Sequence, residues 1–97
     1  MNPEVTTIKL TPQTRVTVLY FAKSAELTGV RSERLRVNPE LTSLQLWQQL
    51  EHKHPKLSAV REQVVLAVRR EYVAVGEQVV RLQHGDEVAV IPPLSGG

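Results

Sequence analysis

The sequence predicts an α+β domain: a mixed sheet of about five strands with one main helix packed on one of its faces. Three observations carry this prediction. Two short runs of strand character, 15–21 and 33–37, precede a single segment with helical periodicity that begins at Thr42 and stops before Pro55. Further strand-like runs, 64–69, 79–82 and 87–91, follow that segment. The first and last strand runs are the most apolar, so both belong in the middle of the sheet.

Taken in order, Arg15-Val16-Thr17-Val18-Leu19-Tyr20-Phe21 is rich in β-branched and aromatic residues and reads as a strand. Ala22 to Thr28 fits a short helix, with Gly29 as its C-terminal stop. Glu33 to Val37 alternates Leu35 and Val37 with charge, as a half-buried strand does, and Asn38-Pro39 is a turn. Thr42 and Gln45 stand at the spacing of a capping box, and Leu41 and Leu46 at that of a hydrophobic staple. Leu44, Trp47 and Leu50 then share one side of the helix. Pro55 ends it, because His54 is driven from helical angles. Leu57 to Arg61 makes a further turn. Val64 to Arg69 is a strand, Arg70-Glu71 leads to a short Tyr72-Val73 extension, Gly76 marks a turn, and Val79 to Leu82 is a short edge strand. Gln83-His84-Gly85-Asp86 turns the chain into Glu87–Ile91.

A hairpin, a helix laid on the sheet and then more strands is an α+β plan. If the first and last strands are neighbours, the helical connection makes them parallel, which is the β-grasp arrangement of ubiquitin. The chain divides into a flexible extension at 1–14, a body at 15–91 and an extended functional tail at 92–97.

Composition bounds the function. Ninety-seven residues suit one domain with one core. Hydrophobic residues at 41% and charged residues at 23% are ordinary for a globular chain. No apolar run approaches the roughly 20 residues of a membrane helix, and the first fourteen residues lack the apolar stretch of a secretory signal. The absence of cysteine excludes disulfides, thiol nucleophiles and cysteine-ligated metals. Arg61, Arg69, Arg70 and Arg81 can form a patch. With a formal charge of only +2 and 4% aromatics, that patch suits solvent or an acidic protein rather than nucleic acid.

The body offers no active site. His52 and His54 are two apart, which on a helix sends them to different faces, so they make a poor metal pair and read as surface residues. His84 and Asp86 belong to a turn. Trp47 reads as a core anchor. Ser95 has no His-Asp constellation near it and reads as a compact spacer. No metal ligand set is present.

The chemistry points instead to the end of the sequence, Pro92-Pro93-Leu94-Ser95-Gly96-Gly97. The two prolines have fixed φ and no N–H, so they end sheet pairing and project the chain outward. Six residues extend about 20 Å at roughly 3.3 Å each. Gly96 and Gly97 have no Cβ, so another protein's narrow channel can reach the carboxylate of Gly97.

Alternation also predicts two different sheet faces. Val16, Val18, Tyr20, Leu66, Val68, Val88 and Val90 fall on the face that takes Leu44, Trp47 and Leu50 of the helix. Leu19, Phe21, Val65, Ala67, Ala89 and Ile91 fall on the other, which has no second helix to cover it. Phe21, Val65, Ile91 and Leu19 are therefore the expected partner interface, at the root of the tail.

Val18-Leu19-Tyr20-Phe21-Ala22-Lys23 with Glu26-Leu27-Thr28-Gly29, the stretch Ala67-Val68-Arg69-Arg70-Glu71-Tyr72-Val73, and Gly85-Asp86-Glu87 running through Pro92-Pro93 to Gly96-Gly97 together resemble the small subunit of molybdopterin synthase, in its eukaryotic form, over about residues 15–97. The resemblance implies a cytosolic sulfur carrier that is not an enzyme on its own. An activating enzyme of the ubiquitin-E1 type adenylates Gly97, sulfur displaces AMP, and a thiocarboxylate remains. The acceptor is cyclic pyranopterin monophosphate in the large subunit, within a heterotetramer of two small and two large chains. AMP is transient, no cofactor is held permanently, and neither membrane nor nucleic acid is a partner. The other readings are a ubiquitin-like modifier joined through Gly97 to lysines of targets, and a plain interaction module with an inert tail.

Overall fold

The computed structural model describes residues 13–92. Strand β1 (Thr14–Tyr20) and strand β2 (Ser32–Val37) form an antiparallel hairpin around the short helix α1 (Lys23–Thr28). Strand β3 (Glu40–Thr42) leads directly into the main helix α2 (Ser43–Lys53) and a 3-10 helix (Pro55–Val60). Strands β4 (Val65–Val68), β5 (Glu71–Ala74), β6 (Val79–Arg81) and β7 (Glu87–Ile91) complete the chain.

The main sheet has five strands in the order β2-β1-β7-β4-β5. β1 and β7 run parallel, pairing Val18 with Val88 and Tyr20 with Val90, and every other pairing is antiparallel. The expected β-grasp plan is therefore present, with the two most apolar strands side by side. β3 departs from expectation. It pairs with β6 in a separate two-stranded sheet, and Leu41 is both a buried strand residue and the expected partner of Leu46 beside the cap.

The capping box forms as the sequence predicts. Thr42 Oγ1 accepts from Gln45 N at 3.0 Å, and Gln45 Oε1 accepts from Thr42 N at 2.8 Å. The sequence did not announce the rest of the cap. Ser43 and Leu44 donate their N–H groups to Gln78 O and Gly76 O, and the buried Ser43 hydroxyl accepts from Gly76 N. The loop between β5 and β6 thereby satisfies donors that every helix start leaves free. His54 stops α2 at φ −131°, outside the helical region, as Pro55 requires.

The core fills the space between the sheet and α2. Val16, Val18, Leu66, Val88 and Val90 meet Leu46, Trp47 and Leu50, all fully buried. Leu44 is only half-buried, and Leu46 takes the core position expected for it. The 3-10 helix contributes Leu57 and Val60 beneath one end of α2. One face of the sheet is thus closed, and the other is left open.

Candidate docking face at the root of the tail

β1, β7, β4 and β5 turn alternate residues away from the core, and register sets these in rows. Leu19 stands beside Ala89, Ala89 beside Ala67, and Ala67 beside Tyr72. One step nearer the end of β7, Ile91 stands beside Val65 and Val65 beside Ala74. Phe21 follows directly on β1, its N–H donating to Val90 O at 3.3 Å. Phe21 is 48% exposed and Tyr72 73% exposed, high values for large apolar rings.

Phe21, Ala22, Val65, Tyr72, Ile91, Pro92 and Gln63 line an open groove of about 650 Å³. Apart from Gln63 its side chains are apolar or, for Tyr72, largely so. Three of the four expected interface residues, Phe21, Val65 and Ile91, line this groove, and Leu19 lies outside it beside Ala89. Tyr72 is a member the sequence reading missed. Register alone brings it to this face, through a two-residue hairpin at Arg69 and Arg70. Both arginines have positive φ, 48° and 67°, as a type I′ turn requires, without the Asn-Gly pair that usually marks one.

The turn holding Phe21 is built with the same tightness. Ala22 has φ 52° and ψ −128°, near the first central position of a type II′ turn, and Ser24 N donates back to Phe21 O at 3.1 Å. The fully buried Ser24 hydroxyl accepts from Phe21 N at 3.0 Å and donates to Phe21 O at 2.7 Å. Phe21 is therefore anchored through its backbone while its ring stands free.

Pro92, half-buried at the rim of the groove, is the last described residue. The expected tail residues Pro93, Leu94, Ser95, Gly96 and Gly97 lie outside the described residues, as does most of the expected extension at 1–14. Among the described residues no group of His, Asp or Glu is arranged to hold a metal.

Elsewhere, two readings of side chains need correction. His54 is not a surface residue. Its Nε2 lies 2.8 Å from Glu33 Oε2, and its ring packs edge-on to Tyr20 with centroids 5.7 Å apart. Tyr20 donates its hydroxyl to the same Glu33 oxygen at 2.5 Å, and Lys53 Nζ lies 3.0 Å from Oε1. Burial alone pushes the Glu33 carboxyl upward, but the hydrogen bonds from Tyr20, Lys53 and His54 outweigh it and hold the group below its ordinary range. Burial, then the hydrogen bond to Glu33 and its charge, raise the Tyr20 phenol well above its ordinary value. The cluster ties the end of α2 to β1 and β2.

Of the four arginines of the expected basic patch, Arg61 and Arg70 are exposed, while Arg69 and Arg81 are engaged with neighbours. Arg69 pairs with Asp86 and donates to Arg81 O at 2.7 Å, and Arg81 Nε lies 2.9 Å from Glu40 Oε2. These arginines lock the hairpin turn and β6 to their neighbours. Asp86 is a structural acceptor, taking Gln83 N as well at 2.8 Å.

Comparison with known proteins agrees with this picture over nearly the whole chain. The ThiS family model matches residues 18–97. The human molybdopterin synthase sulfur carrier subunit is 58% identical over 88 residues, covering 91% of this chain and all of the human one. The subunit of the same name from Arabidopsis thaliana is 41% identical, with both chains covered in full. Among solved structures, a putative molybdopterin converting factor, subunit 1, from Pyrococcus furiosus superimposes with a TM-score of 0.68 at 29% identity, covering 84% of this chain and 99% of that one. Small archaeal modifier protein 1 of Haloferax volcanii gives a TM-score of 0.68 at 28% identity over the same shares. In sequence and in β-grasp architecture alike, the chain belongs to the ThiS family.

Proposed function

We propose that this chain is the sulfur-carrier subunit of a molybdopterin synthase of the eukaryotic type. The observation that carries the reading is the 58% identity that spans the whole human sulfur carrier subunit, joined to a family match that runs through Gly97. The open apolar groove at the root of the tail supports it.

The chemistry follows from the terminus. A carboxylate is a poor electrophile. Attack of the Gly97 carboxylate on the α-phosphorus of ATP releases pyrophosphate and leaves an acyl-adenylate with a good leaving group. A sulfur nucleophile then displaces AMP, and the terminal acyl group keeps the sulfur as a thiocarboxylate. That anionic sulfur attacks a carbon of cyclic pyranopterin monophosphate held by the large subunit and displaces an oxygen substituent there. Water then cleaves the acyl–sulfur bond of the resulting thioester, leaving the sulfur on the pterin and returning the Gly97 carboxylate. Each dithiolene takes two sulfurs, so two loaded tails are used per product, in keeping with two small and two large chains. The catalytic groups belong to the activating enzyme and the large subunit, and the reactions take place in the cytosol. The body of this chain supplies a rigid base, a docking face and the reach of the tail.

A second reading, a protein modifier joined through Gly97 to lysines, is favoured by one observation, the likeness to small archaeal modifier protein 1. Intact-mass measurement after co-expression with the E1-type activating enzyme separates the two. A carrier shows one terminal oxygen replaced by sulfur, and a modifier appears in higher-mass lysine conjugates. Adding one residue after Gly97 abolishes either product while the fold persists. Normal sulfur transfer by the extended, untrimmed protein overturns the proposal.

A further inference from the structure

The edge of the sheet farthest from the docking groove carries a second recognition surface. β2 is the terminal strand of the sheet, with β1 on one side only. Tyr20 N donates to Arg31 O at 2.9 Å, so the pair 20–31 is hydrogen-bonded. Strict alternation along the antiparallel register then makes Glu33 and Leu35 hydrogen-bonded partners of β1, and turns the backbone groups of Ser32, Arg34 and Arg36 outward. Of these outward groups, Arg36 O accepts from Gln49 Nε2 of α2 at 2.9 Å. The N–H groups of all three residues and the carbonyls of Ser32 and Arg34 face away from the sheet.

The exposed charged side chains of β2 and of the β1 segment beside it are all of one sign, the one carboxylate of β2, Glu33, being held at the closed face. Arg34 and Arg36 alternate with the buried Leu35 and Val37 and are exposed on the open face of the sheet, and Arg31 is exposed at the start of the strand. Arg15 is exposed on β1 directly across from Arg36. That pair is not hydrogen-bonded, so its side chains stand closest together, and like charges so placed destabilise a sheet. Among the described residues, none of Arg15, Arg31, Arg34 and Arg36 is within ion-pair distance of a carboxylate.

We infer that the β2 edge binds an extended acidic segment of a partner protein, which adds to the sheet as a sixth strand and sets carboxylates against Arg34, Arg36 and Arg15. Charge alone protects an edge strand from unwanted pairing, but protection gives no reason to place Arg15 opposite Arg36. Carboxylates at alternate positions of an added strand relieve that repulsion, and the strand's backbone satisfies the outward donors and acceptors. A nucleic acid offers phosphates but cannot pair its backbone with the outward N–H and C=O groups of the edge. The surface adjoins the groove only at the start of β2, where Phe21 shares a pocket with Arg31 and Ser32, and Arg34, Arg36 and Arg15 lie outside both pockets.

The test is an NMR titration of the full chain with a short synthetic peptide alternating valine and glutamate, blocked at both ends. The expected result is alternation: the amides of Ser32, Arg34 and Arg36 shift and become protected from hydrogen exchange, while those of Glu33 and Leu35, already bonded to β1, keep their protection. Arg34→Glu with Arg36→Glu weakens binding by at least about tenfold, as expected for reversed charge at a complementary contact, with the circular dichroism spectrum retained. A version of the peptide N-methylated at alternate residues does not bind. Three outcomes overturn the inference: no binding, shifts without new protection of those three amides, or equal binding of a heparin fragment, which shows a surface that reads charge alone.

Discussion

The two faces of one sheet have opposite fates, though the same strands supply both. On β1, Val16, Val18 and Tyr20 are buried under α2, while Leu19 and Phe21 between and beyond them remain accessible. On β7, Val88 and Val90 are fully buried, while Ala89 and Ile91 are half-exposed. Both sets are apolar, so hydrophobicity does not distinguish the buried residues from the accessible ones here. Position relative to α2 does. The closed face supplies most of the stability of the domain, and the open face keeps a comparable apolar character available at the point where the tail departs.

The largest expected effect tests the closed face. Trp47 is completely buried, and Nε1 has no hydrogen-bond partner among the described residues, so its role is packing. Trp47→Ala is expected to destabilise the domain by about 3–5 kcal/mol in denaturant melts. A loss under about 1 kcal/mol would erase the distinction between the faces.

The open face should respond in the reverse way. Phe21→Asp and Ile91→Asp, made singly, are expected to leave the fold within about 1 kcal/mol of the parent. Each should weaken binding to the large synthase subunit by about 2 kcal/mol or more, roughly 30-fold, as for aromatic and aliphatic anchors at the centre of an interface. Isothermal titration read beside thermal melts separates the two quantities. If both variants unfold, these side chains belong to the core and the comparison collapses.

The faces were legible in the sequence because strand alternation is a local signal. Val16 and Val18 against Leu19 and Phe21 can be read without knowing any partner, and so can the capping box at Thr42. What stayed hidden depends on contacts between distant segments. β3 is three residues long, and its strand character exists only because β6 lies against it. Tyr72 joins the groove only through the register of the β4–β5 hairpin, whose Arg69-Arg70 turn lacks the usual residues. Tyr20, Glu33 and His54 come from three separate elements, and no spacing rule brings them together.

That cluster marks where the closed face meets the sheet edge, and it gives a pH signature to stability. The Glu33 carboxyl is held below its ordinary value of 4.5 in the folded chain. Its contribution is therefore complete above that value and is lost as pH falls through the lower folded one. The Tyr20 phenol is raised from 10.0, so its contribution is complete below 10.0 and fades as pH climbs toward the higher folded value. Glu33→Gln is expected to cost about 1–2 kcal/mol at neutral pH by removing charge-assisted hydrogen bonds and to flatten the acid limb. Denaturant melts from neutral to acid pH check this, and parallel curves for parent and variant would remove Glu33 from the account.

The smallest effect lies at the boundary between the faces, at Ala22. Its φ of 52° with ψ of −128° is a conformation that favours glycine. It persists because Ser24, through its backbone N–H and its hydroxyl, fastens the Phe21 carbonyl on one side of the turn. Ala22→Gly removes the strain of the Cβ but gives the unfolded chain more freedom, and these effects oppose each other. The strain is the larger, at about 1–2 kcal/mol for a non-glycine residue in this half of conformational space, so the variant is expected to gain about 0.5–1 kcal/mol of stability. Binding to the large subunit should stay within about twofold, a difference of roughly 0.4 kcal/mol, since Ser24 still holds Phe21 in place. A gain in stability with unchanged binding would show that alanine is tolerated here and not needed. A marked loss of binding would show that the strained turn presents the Phe21 ring to the partner, and the open face would then depend on backbone geometry as strictly as the closed face depends on packing.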